Sequence, residues 1–497
     1  VERNPFIFQI NNYLMAFYFI GIDVGTQGAR VVMIDNTGAI ISSAEEVFPL
    51  TETSRQEQSP LAWWDACKIS LLKMLRQPGG IDTDEIVAIS VSSTSGTVIP
   101  LDDNREPLFN AIMYSDNRSA EQAKRCIAAA HENQTGGYTA FNTSSGLSKM
   151  VWFADNYPEK NELIGSWAHA ADYITGKICG TWGITDYTNA LKSGFDLTNL
   201  RWPEYLTTNL GLKKEWLPEV VPPGTVIGTI EPLLAKELGL PLSLQVAAGI
   251  TDGCASQIAS GAVKPGEWNT TIGTTMVIKG VTIKEVMDPL GRIYNHRHPE
   301  GYWMPGGASN TGADWTTLSF GNDLSELDKN ARNIIPTNYQ AYPLNQQGER
   351  FPFISAKARG FAPQELTRLQ LFTANMEGVA YLERYSFELI TQLSGEMIEG
   401  VYTAGGASNS DTWLIIRSNI LNKPLYKMKY VSGAVGAAIL AASNTIYNSL
   451  TSAVKSLTIL EKEVVPDRDL AAQYQPLYKK FLHTLQQKGY IEGGLYA

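Results

Sequence analysis

Within the first fifty residues, three apolar runs stand so close together that no crossover helix fits between them. Positions 17–23 read as a buried strand, 28–35 as a second, and 39–48 as a third, the last two divided by the hairpin signal Asn36-Thr37-Gly38. Parallel neighbours need a crossover of roughly a dozen residues or more, so this opening is an antiparallel meander. A dinucleotide-binding βαβ unit is thereby disfavoured.

Single hydrophobic cores stop growing near roughly 250–300 residues, so a chain of 497 residues calls for at least two domains. A helix is expected over 60–76, with apolar Leu61, Trp64, Cys67, Leu71, Leu72 and Leu75 at helical spacing and a stop at Pro78-Gly79-Gly80. A strand over 86–92 then enters the small polar turn Ser93-Thr94-Ser95-Gly96. The outline returns later: apolar 245–250, strand-like 270–281 around Gly273, and 399–403 running into Gly405-Gly406. Two related α/β halves are expected. The divide is placed at 261–266, where Gly-Ala-Val-Lys-Pro-Gly stops a helix expected over 253–260. The domains are thus 15–261 and 262–497, with 1–14 an extension before Met15. From 424 onward the chain reads as mainly helical, small and apolar over 435–443 and amphipathic over 470–487.

A formal net charge of -10 argues against non-specific nucleic-acid or membrane-surface binding, which needs clustered Lys and Arg. Small molecules are the expected partners. Cys67, Cys126, Cys179 and Cys254 form no Cys-x-x-Cys pair, so neither a disulfide framework nor a zinc site is signalled. With no apolar stretch of membrane-spanning length and no signal-peptide pattern, the expected location is the cytoplasm.

Several turns carry candidate chemistry. In Asp23-Val24-Gly25-Thr26-Gln27-Gly28, glycines let the backbone approach an anion, amides and the Thr26 hydroxyl can cradle phosphate, and Asp23 can meet magnesium. A plain hairpin turn fits these residues too. Thr270-Thr271-Ile272-Gly273-Thr274-Thr275 is either a second hydroxyl-lined phosphate turn or a threonine-rich strand. Ala404-Gly405-Gly406-Ala407-Ser408-Asn409 is either a backbone platform for a purine or a helix-entry loop. Arg30 reads as an anchor for its turn, and Arg118 and Arg350 either as cations that assist the chemistry or as members of local ion pairs. His296-x-His298 lacks further ligands at defined spacing and suits a polar strand face better than a metal site.

These three turns, in this order, resemble the FGGY family of carbohydrate kinases. The likeness extends to Tyr114-Ser115-Asp116-Asn117-Arg118, Asp172-Tyr173, the stretch 185–190, Gly348-Glu349-Arg350-x-Pro352 and Glu377-Gly378, and so covers nearly everything after Met15. It implies a two-domain actin-like ATPase (ribonuclease H-like) fold, with duplicated mixed sheets flanked by helices around an interdomain cleft. It also implies ATP and Mg2+ as cofactors and a sugar as substrate. Gly25, Thr26, Gln27, Gly273, Thr274, Thr275, Gly405, Gly406 and Asn409 would then hold nucleotide and Asp23 the metal. Asp252, in Gly249-Ile-Thr-Asp252-Gly253, takes the place of the family's catalytic aspartate and would accept the proton of the attacking hydroxyl; from its residues alone it could equally cap the following helix.

Thr94, Ser95, Gly96 and Asp116, with Asp252, are the expected sugar contacts. Xylulose kinases of the family carry Gln-Met-His-Gly where this chain has Thr94-Ser95-Gly96-Thr97, which sets Ser95 and Gly96 at the Met and His positions. The Arg-Glu pair of glycerol kinases is absent. These features lead to a ketopentose, D-ribulose before D-xylulose. The competing readings are a kinase for another polyol or deoxy sugar, and an actin- or chaperone-like ATPase; a homodimer is the assembly considered.

Overall fold

The protein is described by a computed structural model covering residues 17–77, 81–133 and 138–492. The expected extension at 1–14 and the helix stop at 78–80 lie outside these residues. The chain forms two compact units, and they do not follow chain order. The first gathers the chain up to Ala259 with His296–Gly301 and Tyr430–Ile459; the second gathers Ser260–Asn295, Tyr302–Lys429 and the chain from Leu460 onward. The expected cut lies at 261/262; the first unit's opening stretch runs to Ala259, and Tyr430–Ile459 is grouped with it. The small apolar helix Gly433–Ser443 returns to the first unit, with all of its residues buried.

In the first unit the sheet runs in the order Val226–Thr229, Gln245–Ala247, Ile86–Ser93, Tyr18–Val24, Gly28–Asp35, Ile40–Val47, with Ile250–Thr251 also paired to Ile86–Ser93. The opening meander is antiparallel as expected, while Tyr18–Val24 is parallel to Ile86–Ser93. The apolar run 245–250 is broken into two short strands, both parallel to Ile86–Ser93. Helix Pro60–Leu75 starts on Ser59, whose side chain accepts from Ala62 N, and buries Trp63, Cys67, Leu71 and Met74. Gly21, in the first strand, faces Gly433–Ser443: a Cβ there would stand 1.8 Å from the Ala434 carbonyl oxygen. Only glycine allows that approach.

The second unit repeats the plan. Its sheet contains, in order, Leu460–Val464, Leu425–Met428, Gly400–Ala404, Glu267–Ile272, Met276–Gly280 and Trp303–Ala308. Three antiparallel neighbours flank a parallel pair in both sheets, with an antiparallel strand closing the far side. The run 270–281 proves to be a hairpin turned at 273–275, and the stretch after 424 holds two strands as well as helices.

Helix Arg368–Ser394 forms the spine of the second core, opening on a Thr367/Gln370 capping box and closing on left-handed Gly395. Gly378 lets it approach the chain, since a Cβ would lie 2.1 Å from the Ala341 carbonyl oxygen. Beside it Glu377 Oε1 accepts from Thr337 N at 3.0 Å and Tyr474 Oη at 2.9 Å, and Oε2 accepts from the Thr337 hydroxyl. Burial pushes this carboxyl up from 4.5 to about 7. The folded state then holds its proton more tightly than the unfolded state, so the stabilisation is complete below the unfolded value and is lost as pH rises through about 7. This group should contribute about 3 kcal/mol of pH-dependent stability over that window. Glu377→Gln, which imitates the neutral acid, is expected to flatten the slope in denaturant titrations at pH 5 and pH 8. An unchanged slope would assign it to another group.

Candidate functional site

In the first unit, three parallel strands deliver the key groups to one edge of the sheet. Asp23 lies opposite Ser92, and Thr251, just before Asp252, lies opposite Ser93. The carboxyl ends of parallel strands are where open α/β sheets place ligands. Asp23 accepts from Ser92 Oγ at 2.6 Å. Burial pushes it up to about 6, against the Ser92 hydrogen bond, and the charge of Asp252 adds to the rise. Two carboxylates sharing one field, one of them desolvated, form a place where a cation is favoured.

The turn after Asp23 is tight, with Gly25 N donating to Gly28 O at 3.0 Å. It is a hairpin turn as well as a candidate phosphate cradle. Gln58 Nε2 donates to Thr26 O at 3.0 Å and is itself steadied by Trp63 Nε1, which donates to Gln58 Oε1 at 2.8 Å. Thr26 Oγ1 lies 3.2 Å from Tyr114 Oη. An open cavity of about 1410 Å³ is lined by Asp23, the 25–30 turn and Tyr114, Ser115, Asn117 and Arg118. Thr94, Ser95, Gly96, Asp116 and Asp252 do not line it.

Asp252 heads helix Asp252–Ser260, half-buried, with Gly253 N donating to its Oδ1 at 2.6 Å. The strand that delivers it is fixed by a buried polar network. Thr251 N donates to Thr188 Oγ1 at 2.8 Å, and that hydroxyl donates to Asp186 at 2.6 Å. Asp186, pushed up to about 6 by burial and by the charge of Asp172, also accepts from Asn189 Nδ2 at 2.5 Å. Asp172 in turn holds His169 Nδ1 at 2.8 Å. The sequence stretches at 172–173 and 185–190 thus form the support beneath Asp252.

The sugar candidates behave unequally. Thr94 Oγ1 is 3.1 Å from Thr97 Oγ1, which accepts from Tyr114 N at 3.1 Å, so Thr94 is part of the turn's internal bonding. Ser95 Oγ is buried without a protein partner. Gly96 sits at φ +87°, and a Cβ there would stand 2.2 Å from Ser144 O and 3.3 Å from Lys192 Cδ. Asp116 is gripped by Arg118, with Nε at 2.9 Å and Nη2 at 2.7 Å from Oδ2 and the Arg118 amide at 2.8 Å from Oδ1. Arg118 also pairs with Glu57 at 2.8 Å and stacks over Trp152 at 4.3 Å, which fulfils its local ion-pair reading. Arg30 anchors its strand through Glu45 at 2.8 Å. His298 Nδ1 accepts from Glu300 N at 3.1 Å within the first unit.

Sequence reasoning missed three neighbours. Lys149 is fully buried, donates to Thr143 O, and is pushed down to about 7 by desolvation, with Asp116 opposing the shift and Lys192 adding to it. Ser92, by its pattern only the end of a strand, donates to Asp23. Gly433 sits where a Cβ would meet Asp23 Oδ1 at 2.5 Å.

In the second unit the two glycine turns leave adjacent parallel strands, with Thr271 opposite Ala404. Gly405, at φ +85°, needs its missing side chain because a Cβ would stand 2.5 Å from Ile272 O. Gly273, Thr274 and Thr275 are therefore brought beside Gly405 and Gly406 at one sheet end. Asn409 Oδ1 accepts from Lys427 Nζ at 3.2 Å, and Lys427 also pairs with Glu461 at 2.9 Å.

Residues 18–259 match the N-terminal domain, and residues 268–445 the C-terminal domain, of the FGGY family of carbohydrate kinases. The chain belongs to that family. Among curated relatives, a xylulose kinase of Staphylococcus epidermidis is 27% identical over 490 residues, covering 94% of this chain and 97% of its own length. A gluconokinase of Bacillus subtilis is 25% identical over 494 residues, covering 94% and 96%. The crystal structure of a ligand-bound xylulose kinase from Lactobacillus acidophilus superposes with a TM-score of 0.79 at 25% identity, covering 95% of this chain and 98% of that one. The protein is thus a sugar-phosphorylating phosphotransferase that uses ATP, on the two-domain α/β fold expected. No helix among the described residues is long and apolar enough to cross a membrane.

Proposed function

We propose that this FGGY kinase moves the γ-phosphate of ATP to a hydroxyl of a ketopentose, D-ribulose before D-xylulose, with Asp252 as general base. The observation that carries the reading is the common sheet edge of Asp23, Ser92 and Asp252. A sugar hydroxyl attacks phosphorus, its O–P bond forms as the bond to ADP breaks, and Asp252 takes the hydroxyl proton. Ser95 and Asp116 orient the sugar around that hydroxyl. Gly25, Thr26 and Gln27 are the phosphate holders of the first unit, and Gly273, Thr274 and Thr275 those of the second. Gly405, Gly406 and Asn409 carry the adenosine.

Asp23 fits Mg2+ as a single hard oxygen donor whose desolvated charge a dication would offset. An ion held there would take its further ligands from phosphate oxygens and water. When bound, the ion neutralises charge on the transferring phosphate. A cytoplasmic homodimer is the proposed state.

A second substrate reading has its own support. Lys192 runs beside Gly96, which sets a basic side chain at the sugar candidates and favours a substrate carrying a carboxylate, such as the aldonate of a gluconokinase. An ADP-release assay with D-ribulose, D-xylulose, D-gluconate and glycerol separates the readings. The ketopentose reading expects kcat/KM for D-ribulose at least about tenfold above D-gluconate, a difference of roughly 1.4 kcal/mol. The reverse order replaces it with the sugar acid.

A further inference from the structure

The stretch Gly348-Glu349-Arg350-x-Pro352 carries a buried carboxylate to which the mechanism so far gives no task. Glu349 accepts five hydrogen bonds from neutral donors. Oε1 takes Asn310 N at 2.7 Å and Arg350 N at 2.9 Å; Oε2 takes Ser309 Oγ at 2.9 Å, Thr311 Oγ1 at 2.9 Å and Tyr342 Oη at 2.7 Å. Burial and the nearby charge of Glu349 hold the Tyr342 phenol in its protonated, donating form. Asn310 Nδ2 adds a bond to Gly348 O at 2.9 Å.

Three of the five donors lie on one short segment, 309–311, and that segment is laced to the 273–275 turn. Met276 N donates to Thr311 O at 2.9 Å, Ser309 N to Met276 O at 2.9 Å, and Ala313 N to Gly273 O at 2.7 Å. Gly312 presses so close that a Cβ would stand 2.5 Å from Thr274 O. A hydroxyl-lined turn stabilises a transferring phosphate only while its backbone stays in place, and a shift of about 1 Å costs roughly a hundredfold in rate.

We propose that Glu349 is a positioning residue for phosphate transfer, locking the 309–311 segment and through it the Gly273-Thr274-Thr275 turn against the nucleotide's phosphates. This rests on the reading of that turn as a phosphate holder. The acceptor-only carboxylate orients all five donors in one sense, which an amide of the same shape cannot do. In Glu349→Gln the amide nitrogen faces either two backbone N–H groups or three hydroxyls that must turn round to accept.

The test compares Glu349→Gln and Thr311→Val with wild type, using ATP titration without sugar, steady-state ADP release and thermal midpoints. Glu377→Gln serves as the control, a buried carboxylate of the same unit bonded to Thr337 and Tyr474. Glu349→Gln should weaken ATP binding about tenfold or more and lower kcat by about ten- to a hundredfold, with the sugar KM within about twofold. Thr311→Val should move the same quantities in the same direction by less. Glu377→Gln should move the midpoint and leave nucleotide kinetics alone. The proposal is overturned if Glu349→Gln keeps wild-type ATP affinity and kcat, or if Glu377→Gln weakens ATP binding equally. Should Glu349→Gln fail to fold, wild-type kinetics in Thr311→Val overturn it. Wild-type protein that binds no ATP removes the phosphate-turn reading itself, and this proposal with it.

Discussion

Asp252→Asn is expected to lower turnover about a thousandfold while the protein stays folded, since a positioned general base typically contributes 10²- to 10⁴-fold. A thousandfold corresponds to roughly 4 kcal/mol of lost transition-state stabilisation. The amide keeps the size of the side chain and can still accept from Gly253 N, which donates to Oδ1 at 2.6 Å, so helix Asp252–Ser260 retains its start. What it loses is the ability to take a proton from a hydroxyl whose own pKa is far above neutrality. The expected pattern is a fall in kcat and kcat/KM together, with sugar KM and thermal midpoint little changed. Turnover within tenfold of wild type would remove Asp252 from the role and leave it as a helix cap.

Much of this site could be read from residue order alone, and the reason is local. A strand followed by a glycine turn can be recognised by its pattern, so Asp23, Gly273 and Gly405 appear at strand ends as expected. The meander was legible because Asn36-Thr37-Gly38 leaves one way to connect two strands. What the sequence hid depends on partners distant along the chain. Lys149 stands 33 positions beyond Asp116, and nothing in its helix announces that it ends buried beside that carboxylate. Glu349 gathers its hydroxyl donors from positions 309, 311 and 342, a convergence no local window reveals. The same limit explains the domain boundary. A run of small apolar residues at 435–443 signals a buried helix, but which unit buries it is decided by Gly21, more than 400 residues earlier.

That return of the chain also brings Gly433 to Asp23, and Gly433→Ala is expected to cut turnover about a hundredfold. A methyl group there would sit 2.5 Å from Asp23 Oδ1, 2.7 Å from its Cγ and 2.8 Å from Ser92 Oγ. All three are closer than real Cβ contacts, so either the carboxylate or the helix start must give way. The helix is the less yielding of the two. Ser432 caps it by accepting from Val435 N at 3.2 Å, and Gly436 fixes its next turn, where a Cβ would stand 1.9 Å from Ala255 O. Asp23 therefore moves, and with it the Ser92 hydrogen bond of 2.6 Å. A displacement near 1 Å at a charge-positioning group costs roughly a hundredfold. The separable signature is a large loss of kcat with a smaller change in midpoint, accompanied by a raised magnesium requirement in the ADP-release assay. If turnover and magnesium dependence both match wild type, Asp23 is not the group that the returning helix holds in place.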